Sequence, residues 1–129
     1  MYFYDVGLVC YLLGIETAQQ LAHHPLRGAI FENMVVCDML KDRYNKGLDK
    51  NIMFYRDKAR EIDILQEEAG RLHAYEVKIA ERFHPDFIKS LEYLKSLLTD
   101  DLLSMNIIYT GEKKSVGSFH LRNYKSMND

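Results

Sequence analysis

Three residues in the stretch EIDILQEEAGRLHAYEVK, residues 61–78, have the types and spacing for chemistry: Asp63, Glu76 and Lys78. Two alternating segments, 61–67 and 72–78, flank Glu68-Ala69-Gly70-Arg71 and read as an antiparallel hairpin. If the hairpin is symmetric about Ala69-Gly70, paired residue numbers add to 139 and Asp63 faces Glu76, with Cβ atoms about 5 Å apart. Two carboxylates ~4 Å apart repel by about 4 kcal/mol at an effective dielectric near 20. A proton, a lysine or a divalent cation must therefore neutralise them. Mg²⁺ suits such a pair, because it is hard, prefers carboxylate oxygen and keeps several waters. A cation held there could polarise a phosphate oxygen, with its water as nucleophile, and Lys78 could position that water or offset developing charge. The plainer alternative is a solvated sheet face on which Glu61 pairs with Lys78 and the two acids are merely exposed.

The same register directs Ile62, Ile64, Tyr75 and Val77 into a core and Glu61, Asp63, Glu76 and Lys78 to the opposite face. Upstream, Asp5 can cap a short helix that Gly14 ends, and Thr17 another over 18–23 that Pro25 stops. A longer helix is expected over 29–44, with an apolar face of Ile30, Phe31, Met34, Val35, Cys37 and Leu40. Glu32 interrupts its start, where a carboxylate gains roughly 0.3–1 kcal/mol from the helix N-terminus. Residues 51–57 read as a strand. Arg56, Lys58 and Arg60 cluster at the following turn, either as phosphate contacts or as an ordinary solvated turn. His84-Pro85-Asp86 opens a helix to Leu98, with a buried stripe of Phe87, Ile88, Leu91, Leu94 and Leu98. A strand centred on Ile107 and Ile108 follows, then one edge strand over 117–124 and a frayed end.

The 129 residues suit one domain, and the net charge of −2 excludes a uniformly basic coat while permitting a local basic strip. Cys10 and Cys37 lie in apolar helical patterns and read as buried thiols of a reducing cytoplasm. No apolar run is long enough to span a membrane, and no signal peptide is legible. Gly111-Glu112-Lys113-Lys114-Ser115 lacks P-loop glycine spacing, so no ATP site is expected in this chain. The histidines are scattered and suggest no catalytic triad. Tyr2-Phe3-Tyr4 with Tyr11 makes an aromatic cluster expected to pack on the domain or on a second copy rather than face water.

The order helix, three strands, helix, strand, with Glu32 on the helix, Asp63 on the second strand and Glu76-Val77-Lys78 on the third, resembles the restriction-endonuclease-like, PD-(D/E)XK nuclease superfamily. A closer likeness runs through Tyr2-Phe3-Tyr4-Asp5-Val6-Gly7-Leu8, Leu12-Leu13-Gly14, Gly28-Ala29-Ile30-Phe31-Glu32-Asn33, Phe54-Tyr55-Arg56, Glu61-Ile62-Asp63 and Glu76-Val77-Lys78. These segments resemble the uncharacterised C-terminal domain that follows an AAA-type ATPase module in many prokaryotic proteins. The resemblance implies an α/β fold with a restriction-endonuclease-like core and short N-terminal helices. It divides the chain into an N-terminal helical extension at 1–27, a nuclease-like domain at 28–125 and a tail at 126–129. It also implies an ATPase module upstream, in keeping with the cut-looking start. Two positions depart from the family pattern: Arg60 replaces a usual glycine, and Ile79-Ala80 replaces a small serine pair.

The implied site is Glu32, Asp63, Glu76 and Lys78. Asp63 and Glu76 would hold Mg²⁺ or Mn²⁺, Glu32 would orient a metal water or complete a second site, and Lys78 would position the nucleophile. The expected activity is phosphodiester hydrolysis of nucleic acid, as an endo- or exonuclease. The alternative is a non-catalytic regulatory or docking domain for the attached ATPase.

Overall fold

A computed structural model describes residues 5–56 and 60–126; Tyr2-Phe3-Tyr4, Lys58 and residues 127–129 lie outside the described residues. Six strands form one mixed sheet: β1 (Ile52–Arg56), β2 (Glu61–Glu68), β3 (Arg71–Val77), β4 (Leu102–Tyr109), β5 (Lys114–Val116) and β6 (Phe119–Asn123), in the order β1-β2-β3-β4-β6-β5. β1, β2 and β3 form an antiparallel meander; β4 runs parallel to β3 and to β6, and β5 closes the far edge antiparallel to β6. The chain divides into two compact units, Met1–Leu48 and Asp49–Asp129.

The second unit is organised by the β2–β3 hairpin. Its register is Glu68↔Arg71, Glu67↔Leu72, Gln66↔His73, Leu65↔Ala74 and Ile64↔Tyr75, as symmetry about Ala69-Gly70 requires. Both loop residues have positive φ, 52° at Ala69 and 78° at Gly70, the signature of the type I′ turn that matches strand twist. An alanine there carries part of the ~1–2 kcal/mol penalty of left-handed backbone. Ala69→Asn should therefore raise stability by about 0.5–1 kcal/mol, read as a higher urea midpoint with unchanged m-value.

One face of this sheet is covered by the helix α4 (Lys89–Leu98), entered through a 3-10 turn at Pro85–Ile88. The His84 imidazole Nδ1 accepts the Asp86 N–H at 3.1 Å, and Pro85 occupies the first position, where no amide donor is needed. Leu91 and Leu94 of α4 join Ile62, Leu65, Ala74, Met105, Ile107, Tyr109, Phe119 and Leu121 in one apolar cluster. Ile64, Tyr75, Val77 and Ile108 are buried as well. The expectation of one edge strand over 117–124 is corrected. Gly117, at φ 59°, turns the chain between β5 and β6, and β6 lies inside the sheet because it pairs with β4 as well as β5.

The first unit comprises α1 (Val6–Leu12), α2 (Ala18–His23) and α3 (Arg27–Asn45). Asp5 accepts the Leu8 N–H, and Thr17 and Gln20 make a reciprocal capping box. α3 begins at Arg27, two residues before the expected start, and the Arg27 guanidinium donates to the Ala22 carbonyl at 2.6 Å. Its side chains Ile30, Phe31, Val35, Val36, Met39 and Leu40 are buried. Tyr11 is 79% exposed in the single chain, which leaves a second copy as the surface it was expected to pack on.

Candidate functional site

The register between β1 and β2 shifts near the candidate acid. Met53 pairs with Leu65 and Tyr55 with Ile62, so β1 advances two residues while β2 advances three. The extra residue makes a bulge at Asp63-Ile64, a device that re-aims a side chain where the ladder is interrupted. It breaks the simple alternation: Ile62 and Leu65 both reach the α4-side cluster, where regular alternation would have placed them on opposite faces.

On β3 the alternation is regular, and this decides where Glu76 goes. Ala74 belongs to the α4-side cluster, Leu72 packs against it, and Glu76 follows on the same face beside Ile107 of β4. Glu76 is 3% exposed. The expected division into an oily face and a polar face is thus corrected. Glu76 stands at the end of an apolar face, because β4 pairs alongside β3 and α4 covers that side.

Asp63 and Glu76 are each held by an amide of the opposite strand. The Val77 N–H donates to Asp63 Oδ2 at 2.8 Å, and the Asp63 N–H donates to Glu76 Oε1 at 3.4 Å. Lys78 Nζ lies 3.6 Å from Glu76 Oε2, on a side chain 39% exposed. The Lys78 amide donates to the Ile108 carbonyl at 2.9 Å, fixing the strand end that carries the lysine. Burial is the main force on both acids. It raises the Asp63 carboxyl above its ordinary range against the opposing pull of the Val77 amide and Lys78. Burial, then the neighbouring Asp63 charge, pushes Glu76 up to about 8, with Lys78 acting against both. Both shifts run in the same direction, so the pair as a whole holds a proton more tightly than two ordinary carboxylates do.

The other charged residues singled out from sequence have surroundings of their own within each unit. Glu61 pairs with Arg56 across β1 at 3.1 Å, in place of the alternative Glu61–Lys78 pair. Arg56 and Arg60 are exposed. Glu32 is half-buried on α3 in the first unit. Because α3 starts at Arg27, Glu32 lies past its first turn, where a helix N-terminus has little effect on it. Cys10 and Cys37 are free thiols; burial raises the Cys37 thiol and keeps it unreactive.

Two carboxylates and an adjacent lysine are a donor set that fits a hard divalent cation. Such an ion commonly takes one or two protein carboxylates and fills its remaining positions with water and substrate oxygen. Among the described residues, no three histidine, cysteine, aspartate or glutamate side chains gather for a metal, so the donor set within the sheet is the pair Asp63 and Glu76. A cation bound there would displace the proton that the pair holds.

A second polar chain was not legible from the scattered histidines. The parallel register sets His73 beside Ser104. His73 Nδ1 lies 2.6 Å from Ser104 Oγ, and its Nε2 lies 2.6 Å from Glu68 Oε2. Asn106 Nδ2 donates to Ser104 Oγ at 2.8 Å and to the Ala74 carbonyl at 3.2 Å. The Ser104 oxygen thus accepts from Asn106, and the chain ties β2, β3 and β4 together.

The class defined by these features is a mixed α/β domain with a cross-bonded acid pair and a lysine at the end of its central strands. Residues 27–123 match the family described as a domain of unknown function, DUF4143, and the chain belongs to that family. No curated protein and no solved structure matches it. Among the described residues, no helix is long and apolar enough to cross a membrane.

Proposed function

We propose that this chain is a divalent-metal-dependent, nuclease-like domain acting on nucleic acid. The sheet and α4 would then form a restriction-endonuclease-like core, in a family context where an AAA-type ATPase module precedes it. One observation carries the reading: Asp63 and Glu76 each accept the other strand's amide, and Lys78 Nζ stands 3.6 Å from Glu76. In this reading Asp63 and Glu76 bind Mg²⁺ or Mn²⁺, and the half-exposed Lys78 orients the attacking water and offsets charge on the phosphate. The bound cation supplies polarisation of the phosphate oxygen and acidity to its water. The two amides fix the carboxylates before a cation arrives, so little ordering remains to be done on binding.

A second reading is a non-catalytic docking or regulatory domain of the ATPase. The deep burial of Glu76 favours it, because a pair that shares a proton is satisfied without a cation. Thermal melts with Mg²⁺ or Mn²⁺, beside cleavage assays on DNA and RNA, separate the two. Saturating cation at about 100 times Kd should stabilise the fold by about 2.7 kcal/mol, and Asp63→Asn should remove that gain. Lys78→Ala should keep the gain and lose cleavage. Glu32→Gln in the same series tests the helix acid. An unmutated protein with no shift at millimolar cation would leave the docking reading in place.

A further inference from the structure

We propose a second anion site at the β5–β6 edge of the sheet, a contact for the phosphodiester backbone of a nucleic-acid strand; it rests on the nucleic-acid reading above. A cleft of about 520 Å³ there is lined by Lys113, Lys114, Ser115, His120, Arg122 and Ser126, and no carboxylate lines it. In a chain of net charge −2 this is a local concentration of cations, distinct from the basic turn at Arg56 and Arg60.

The register explains how these side chains gather. Ser115 pairs with His120, and Lys114 with Leu121. Continuing that register by one residue sets Lys113 beside Arg122. Leu121 and Phe119 point to the α4-side cluster, so alternation places Lys113, Ser115, His120 and Arg122 together on the opposite face. Lys114 belongs to the α4 side, with Nζ 5.9 Å from the centre of the Phe83 ring. Like charges facing across a strand pair destabilise it. Among the described residues, no ion pair engages Lys113, Lys114 or Arg122. A phosphate bound between Lys113 and Arg122 would offset the repulsion that this register implies, with the Ser115 hydroxyl as a neutral donor. The cleft is cationic and no Phe, Tyr or Trp lines it, so backbone charge outweighs base stacking as the chemistry it offers, with His120 its single ring.

The test is fluorescence anisotropy of a labelled single-stranded oligonucleotide, without divalent cation, across a salt series. Lys113→Ala/Arg122→Ala should weaken binding about tenfold or more and lower the salt slope by about 0.7 per lost phosphate contact. Arg122→Lys should restore most of it, and Arg56→Ala should leave this slope difference unchanged. Inorganic phosphate at millimolar concentration should compete poorly if a strand is the ligand; full competition would assign the cleft to free phosphate and overturn the strand proposal. If the oligonucleotide binds the double variant as it binds the unmutated protein, the edge site is wrong and the nucleic-acid reading survives. If the unmutated protein binds no oligonucleotide, both fall. Lys113→Ala alone, at an exposed position just before β5, serves should the double variant fail to fold.

Discussion

Glu76→Gln should change the pH dependence of stability more than any other single substitution at the acid pair. The Glu76 carboxyl titrates near 8 in the folded chain and near 4.3 when unfolded. Between those values the native state binds the extra proton, so stability falls as pH rises. The stabilisation from this group is complete below about pH 4 and is lost as pH passes about 8, with a slope of up to ~1.4 kcal/mol per pH unit. The glutamine keeps the shape and cannot ionise, so urea midpoints between pH 5.5 and 8.5 should flatten. The metal-free variant should match or exceed the unmutated protein at pH 8. A cation reverses the trend in the unmutated chain: binding displaces the proton, so the metal-induced gain should grow with pH and vanish in the variant. Equal pH slopes in the two proteins would show that Glu76 is an ordinary carboxylate and that its burial has been misassigned.

Gly111→Ala should be the most damaging single-methyl change in the second unit. A Cβ there would lie 2.7 Å from Tyr109 Cζ and nearer still to the Glu81 carbonyl oxygen. The Glu81 atom is backbone and cannot rotate away. The Thr110 N–H donates to the Ala80 carbonyl at 3.0 Å, and the Tyr109 hydroxyl donates to the Glu112 carbonyl, so both sides of the contact are tied. Asn123 Nδ2 donates to the Gly111 carbonyl at 2.8 Å. A loss of about 3 kcal/mol is expected, at the upper end of overpacking costs, measurable as a drop in urea midpoint. Because Ala80 and Glu81 lie two and three residues after Lys78, the change should also blunt any lysine-dependent activity in the fraction that still folds. A variant of full stability would mean that the loop after β3 does not approach Gly111 so closely.

Local features were legible from sequence wherever one short segment determined them. Ala69-Gly70 located the hairpin and its register, Asp5 and Thr17 located two helix starts, and His84-Pro85-Asp86 located a third. What escaped depended on distant partners. The face taken by Glu76 follows from β4 lying beside β3, a pairing that joins residues about thirty apart in sequence. The bulge at Asp63 has no residue signature, since neither aspartate nor isoleucine marks a bulge as glycine does. The short strand β5 before Gly117 was not expected, and its pairing with β6 is what moves β6 from the edge into the sheet. His73 and Ser104 meet through the same parallel pairing that hides Glu76. The two acids were found because they lie on adjacent strands of one hairpin; their burial was not, because burial is a property of the whole sheet.

That contrast bears on the order in which the chain assembles. The β2–β3 hairpin closes a two-residue loop, an event of microseconds, whereas β3 can meet β4 only after the segment containing α4 has been enclosed. A hairpin closed before β4 docks would bring Asp63 and Glu76 together while still hydrated, when their mutual repulsion is cheap, and would leave their burial to the docking of β4. Lys78 acquires its anchor on Ile108 in that later step. Substitutions at Ala69 should accordingly act on the folding rate, and those at Ile108 mainly on the rate of unfolding. On that order the hairpin would draw the acid pair together first, and the docking of β4 would then strip away its water.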